Sequence, residues 1–134
     1  MTYFVDTNTC IYFMNGKYSS VKETFLSISP KNIKIPSVVK AELLLGAYKS
    51  QTKEQTVKKV NNFLEPFEII PFTDDMTEEY AEIRAELELS GKTIGSNDYF
   101  IAATARSKKG ILVTHNVDEF SRISNLEIED WVKE

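Results

Sequence analysis

Short apolar runs alternate along this chain with longer stretches in which apolar residues recur every three or four positions, the pattern of buried strands alternating with helices. Strands are expected at about 2–6, 33–36, 67–71, 111–114 and near 126–129. Helices are expected near 8–15, 20–28, 38–49, 53–64, 74–90 and 97–109. Several boundaries carry their own signals: Gly16 stops the first helix, Gly110 ends the one before Ile111, and Ser37 is placed to cap the third. Ser20 with Glu23, and Thr52 with Gln55, have the spacing of capping boxes. Strands and helices in this order imply an α/β fold, a mostly parallel central β-sheet flanked by α-helices.

Three carboxylates stand where these segments change character. Asp6 ends the run Tyr3-Phe4-Val5 and precedes Thr7-Asn8-Thr9, good capping residues for a largely apolar helix. Glu42 lies in the first turns of a helix among Val38, Val39, Leu43, Leu44 and Leu45, a charge set among residues that should pack. Asp98 opens another apolar helix after the loop 91–97, and Ala102, Ala103 and Ala105 let that helix approach the sheet closely. Asp98 alone is explained by the helix dipole and Asp6 alone by a turn, but Glu on an apolar face needs a partner. Together the three look like a metal site assembled by folding, at the strand ends where open α/β sheets bind ligands.

The ordered set of motifs resembles the PIN-domain nucleases and, among them, the VapC-type toxins of prokaryotic toxin–antitoxin pairs. The pieces are Phe4-Val5-Asp6-Thr7-Asn8, Val39-Lys40-Ala41-Glu42-Leu43 with Gly46, Arg84-Ala85-Glu86-Leu87, Ile94-Gly95 through Asp98 with Ile101-Ala102-Ala103, Leu112-Val113-Thr114-His115-Asn116 with Glu119-Phe120, and Glu129-Asp130-Trp131. They span essentially the whole chain in the right order. The resemblance implies a PIN-like fold and a metal-dependent endoribonuclease toxin acting on a structured RNA such as transfer RNA. It also implies a VapB-type antitoxin, a homodimer and a toxin–antitoxin hetero-oligomer.

The resemblance carries the metal to Asp6, Asp98 and Glu42, and oxygen donors suit Mg²⁺ or Mn²⁺. Such an ion lowers the pKa of bound water and orients the scissile phosphate, and a second about 3.5–4 Å away would hold the leaving oxygen. Asn8 and Thr114 are expected to orient waters or carboxylates. Where many PIN domains have a fourth acidic residue, in Thr-Asn-Asp, this chain reads Thr114-His115-Asn116, and Glu119 is expected to supply the missing charge as the fourth catalytic carboxylate. Its ordinary alternative is a solvated carboxylate at a helix start.

Composition then narrows the picture. The 134 residues suit one domain, and a single cysteine, Cys10, excludes an internal disulfide and fits a reducing cytoplasm. One histidine and one cysteine cannot make an ordinary zinc site; Cys10 is expected in the core and His115 in a loop or strand end beside the site. No apolar run is long enough for a membrane span and no signal peptide is evident, so a cytoplasmic protein is expected. A net charge of −4 is unusual for a nucleic-acid partner, but part of it belongs to the carboxylates a cation would neutralise. Arg84 and Lys92 flank the loop leading to Asp98 and are the candidate RNA contacts, although solvated helix faces are the ordinary explanation for such charges. Tyr48, Val57, Val60, Phe63, Leu64 and Phe67 exceed one helix face, suggesting either core or a partner surface. The competing function is a weak or inactive PIN-fold interaction module that binds an antitoxin or RNA, its metal site depleted by Asn116.

Overall fold

The computed structural model describes residues 1–133. Five strands form one parallel sheet in the order β3-β2-β1-β4-β5: β1 (Tyr3–Val5), β2 (Ile33–Pro36), β3 (Glu68–Ile70), β4 (Ile111–Val113) and β5 (Glu127–Glu129). β1 is central, with Tyr3 in register with Ile33 on one side and Ile111 on the other. Val5, Ile33, Ile35, Leu112 and Val113 are wholly buried, as strands covered on both faces must be, whereas the edge strands β3 and β5 carry exposed glutamates.

The crossovers are helical. Helices α1 (Thr7–Asn15) and α2 (Ser19–Ser27) connect β1 to β2, α3 (Ser37–Tyr48) and α4 (Lys53–Leu64) connect β2 to β3, and α5 (Thr77–Leu89) and α6 (Ser96–Ser107) return the chain to β4. The one-turn α7 (Val117–Phe120) precedes β5. The chain leaves β1 towards β2 and comes back on its other side at β4, so the strand order reverses between these two strands. That reversal opens a crevice beyond their carboxyl ends. Among the described residues no helix is long and apolar enough to cross a membrane.

The expected elements are present, with local differences. The helix expected from 74 starts as a 3-10 turn, Asp74–Met76, before α5. Gly16 caps α1 in the left-handed conformation, φ 66°, as expected. Gly110 is needed for another reason: a β-carbon there would fall 2.3 Å from the Phe4 ring, and it is Lys109, φ 55°, that takes the left-handed turn. Neither capping box forms. α2 is preceded by Tyr18, and Ser20 instead accepts a bond from the Lys133 amide; Thr52 stands at the cap of α4 but its hydroxyl bonds Ser50 and Thr56. Ser37 is the first residue of α3, after the cap residue Pro36, and makes no capping bond. Of the apolar surplus, Val60, Phe63 and Leu64 lie in the core, Val57 and Phe67 are partly buried against it, and Tyr48 is exposed.

Candidate active site

Asp6 follows β1 directly. Its amide bonds Val113 O at 3.0 Å, extending the β1–β4 ladder by one rung, and its carboxylate caps α1 by accepting the Thr9 amide at 3.0 Å. The cap is thus Asp6 itself rather than the hydroxyl and amide residues after it, a role its position immediately before Thr7-Asn8-Thr9 already allowed. Only 6% exposed, its carboxyl is pushed above the ordinary range by burial; hydrogen bonds from Thr114 and Thr9 pull it back, and the Glu42 charge adds to the rise.

Glu42 projects from α3 towards the same point. Thr7 donates its hydroxyl to Oε1, and Asn97 donates its amide to Oε2 at 3.2 Å. It is half-buried, and its neighbour Leu45 is on the surface, so the surroundings of Glu42 are less apolar than the sequence suggests. Thr7 and Asn97 were not expected as its partners. Their positions, one residue after Asp6 and one before Asp98, were the available signal.

Asp98 is the third residue of α6, which begins at Ser96 after the cap residue Gly95. Its carboxyl is raised to about 6, first by burial and then by the charges of Asp6, Glu42 and Glu119. All four predicted carboxylates therefore act on one small region. Glu119 reaches it from α7, which Phe120 anchors in the core, and Asn116 donates its side-chain amide to Glu119 Oε2 at 2.8 Å. Asn116 holds the fourth carboxylate instead of standing in for it. Its backbone amide bonds the Thr114 hydroxyl at 2.9 Å, and Thr114 in turn bonds Asp6, so one short segment ties two carboxylates together.

The remaining predicted residues divide. Asn8 is exposed on the first turn of α1, and no side-chain bond links it to the carboxylates. The Arg84 guanidinium is already engaged: it donates to Glu88 at 2.9 Å and to the Tyr80 hydroxyl at 2.6 Å, and it lies over the Tyr99 ring. Lys92 is exposed in the loop before α6. Cys10 is wholly buried and burial pushes its thiol up, so it is a core residue. His115 pairs with Asp130 at 3.0 Å.

Among the described residues none of the four carboxylates makes an ion pair with Lys, Arg or His. Like charges gathered without a counter-charge, one of them nearly dehydrated, fit a cation, and an all-oxygen set fits Mg²⁺ or Mn²⁺. Among the described residues no three His, Cys, Asp or Glu side chains lie close enough together to hold a metal ion between them. An ion here would thus be reached by part of the set and completed by water, the habit of Mg²⁺. Asp98, Glu42 and Asn97 line an open depression with Gly95 and Ser96.

The PIN domain family model matches residues 3–126. Ribonuclease VapC2 of Rickettsia felis is 43% identical over 99% of this chain and 100% of its own length. The tRNA(fMet)-specific endonuclease VapC of Shigella flexneri is 35% identical over 98% of both chains. Among solved structures, VapBC2 from Rickettsia felis, bound to a DNA fragment from its promoter, contains a chain that superposes with a TM-score of 0.91 at 42% identity, covering 98% of this chain and 99% of that one. With the parallel sheet and the whole length in agreement, the chain belongs to the PIN-domain family and, within it, to the VapC ribonucleases.

Proposed function

We propose that this protein is a metal-dependent endoribonuclease toxin of the cytoplasm that hydrolyses a phosphodiester bond of a structured RNA, with transfer RNA, and initiator transfer RNA first, as the substrate to try. What supports the reading is that Glu42 and Asp98 line one open depression, that the charges of Asp6, Glu42 and Glu119 all act on Asp98, and that among the described residues none of the four has a cationic partner. Bound Mg²⁺ or Mn²⁺ would activate water and offset charge on the phosphate. Asp6 and Asp98 are the deepest ligands offered, Glu42 and Glu119 the flanking ones. Thr7 and Asn97 orient Glu42, Thr114 orients Asp6 and Asn116 orients Glu119, each by donating hydrogen bonds.

The regulatory partner is a VapB-type antitoxin, with the toxin as a homodimer in a hetero-oligomer. Supporting this, an apolar groove lined by Ile11, Met14, Leu43, Ala47 and Val60 opens beside Glu42, giving an inhibitory segment a track to the carboxylates. The alternative, an inactive interaction module, rests on Asn116 depleting the site; what favours the nuclease over it is that the Glu119 charge acts on Asp98.

The test is incubation of purified protein with transfer RNA in Mg²⁺, in Mn²⁺ and in chelator, with Asp6→Asn in parallel. Discrete fragments that need the metal and vanish in the variant are expected. A folded, metal-supplied protein that leaves every RNA intact would defeat the nuclease reading.

A further inference from the structure

Beside the carboxylates, and unused by them, stands a cluster of rings. The Tyr12 and Tyr18 centroids are 5.0 Å apart and nearly perpendicular, and the His115 ring lies 6.2 Å from the first and 6.0 Å from the second. The Lys17 ammonium sits 5.3 Å from both tyrosine centroids. The left-handed turn at Gly16 makes this possible, because it folds Lys17 and Tyr18 back so that the Lys17 amide bonds Tyr12 O at 3.1 Å.

The cluster is built and open to solvent. Asp130 fixes the imidazole through Oδ2, while its Oδ1 is itself held by the Val132 amide at 3.0 Å. The His115 side chain is nevertheless 45% exposed, Lys17 is exposed and both tyrosines are only partly buried. Neither tyrosine hydroxyl takes part in a side-chain hydrogen bond among the described residues. A histidine this exposed has little packing to gain from being fixed, and an ammonium resting over two aromatic rings stands ready beside a flat surface.

Its place in the fold gives it a substrate. His115 lies between Thr114, which bonds Asp6, and Asn116, which bonds Glu119. Tyr12 is on the helix that Asp6 caps, about 9 Å along it at 1.5 Å per residue. An RNA strand that ran from the carboxylates along α1 would meet this surface within a few nucleotides.

We propose that Tyr12, Tyr18, His115 and Lys17 form a binding site for an unpaired nucleotide next to the scissile phosphate, the base stacked on the rings and its phosphate held by Lys17. Aromatic faces accept any base, so the site selects for an unstacked nucleotide in a loop rather than for a sequence. Affinity at this point comes from stacking and one phosphate contact, and the net charge of −4 does not oppose it because the cation is local.

This inference rests on the nuclease reading, and its test separates the two. A fluorescein-labelled single-stranded oligoribonucleotide is titrated, by fluorescence anisotropy, into Asp6→Asn protein, which binds without cutting, and into the same protein carrying His115→Ala, Lys17→Ala, Tyr18→Leu or His115→Phe. Removing one stacking ring is expected to weaken binding by about five- to a hundredfold. His115→Phe, which keeps a flat ring but not the bond to Asp130, is expected to retain most of the affinity. In the cleaving parent, His115→Ala should raise KM for transfer RNA and leave kcat close to the parent's. Thermal melts confirm that each variant is folded. A parent that cleaves no RNA overturns the nuclease reading and this site with it. A cleaving parent whose His115→Ala and Tyr18→Leu variants bind normally overturns the site alone. So does a His115→Phe variant as weak as the alanine, or a change confined to kcat, either of which would mean that the ring acts through the loop rather than on RNA.

Discussion

Carboxylates meet in two places in this molecule, and only one of them is given a cation by the chain. At the α5–α6 seam the Arg106 guanidinium donates to Glu79 at 2.5 Å, to Glu82 at 2.6 Å and to the Ser124 carbonyl at 3.0 Å, and its side chain is just 8% exposed. At the strand ends Asp6, Glu42, Asp98 and Glu119 have hydroxyl, amide and backbone donors but no positive partner. The first arrangement is complete and locks α6 to α5. The second is complete only with something added, which is the mark of a site kept for chemistry at a cost to stability.

The contrast predicts opposite signs for two substitutions. Asp98→Asn removes one charge from the uncompensated group, so cleavage should fall to background while the metal-free protein unfolds at a higher denaturant concentration than the parent. Arg106→Met leaves Glu79 and Glu82 facing each other without their donor. Because those carboxylates are 36% and 69% exposed, water recovers part of the loss, and a destabilisation of about 2 kcal/mol is expected, with cleavage per folded molecule retained. Chemical denaturation in chelator and cleavage assays in Mg²⁺ read both effects. An Asp98→Asn protein less stable than its parent would show that the cluster is a structural network after all.

The two regions were unequally legible in the sequence. The carboxylates could be named because each sits where an apolar segment changes to a helix, and strand-end geometry brings such positions together whatever lies between them. Asp6 as a cap, and Thr7 and Asn97 as donors to Glu42, depend on side-chain directions across segments far apart in sequence, which spacing does not encode. The Arg106 seam has no comparable signal, since Arg106 stands in a run of basic residues, Arg106-Ser107-Lys108-Lys109, that by itself says nothing of burial. Its burial follows from the angle between α5 and α6, and that angle is set by packing. The capping boxes failed for the reverse reason: local spacing was right, but Ser20 and Thr52 found other partners. The parallel α/β order was legible because two-sided burial gives continuous apolar runs.

A smaller effect sharpens the comparison inside the site itself. Asn116 touches no substrate atom in this reading and acts by holding Glu119 and the Thr114 hydroxyl in place. Asn116→Ala should therefore weaken metal dependence, with the Mg²⁺ concentration for half-maximal cleavage rising about ten- to a hundredfold, as for other residues that orient metal ligands. Saturating Mg²⁺ should restore much of the rate. A loss that no Mg²⁺ concentration repairs would place Asn116 in direct contact with the reaction.

The last test uses pH. An unfolded aspartate has a pKa near about 3.9. Asp98 is raised to about 6 in the fold by burial and by Asp6, Glu42 and Glu119. Between these values the native state binds more protons than the unfolded state, so this group's contribution to stability falls as pH climbs from about 4 to 6 and is fully lost above that. Asp6 is raised in the same direction and adds to the fall. A cation binds the ionised form and reverses the loss. In chelator, the melting temperature of Asp98→Asn relative to the parent should therefore rise across this window. The gain that Mg²⁺ gives the parent should be larger at pH 7.5 than at pH 5. An equal Mg²⁺ gain at both pH values would mean that the ion does not bind where Asp98 titrates.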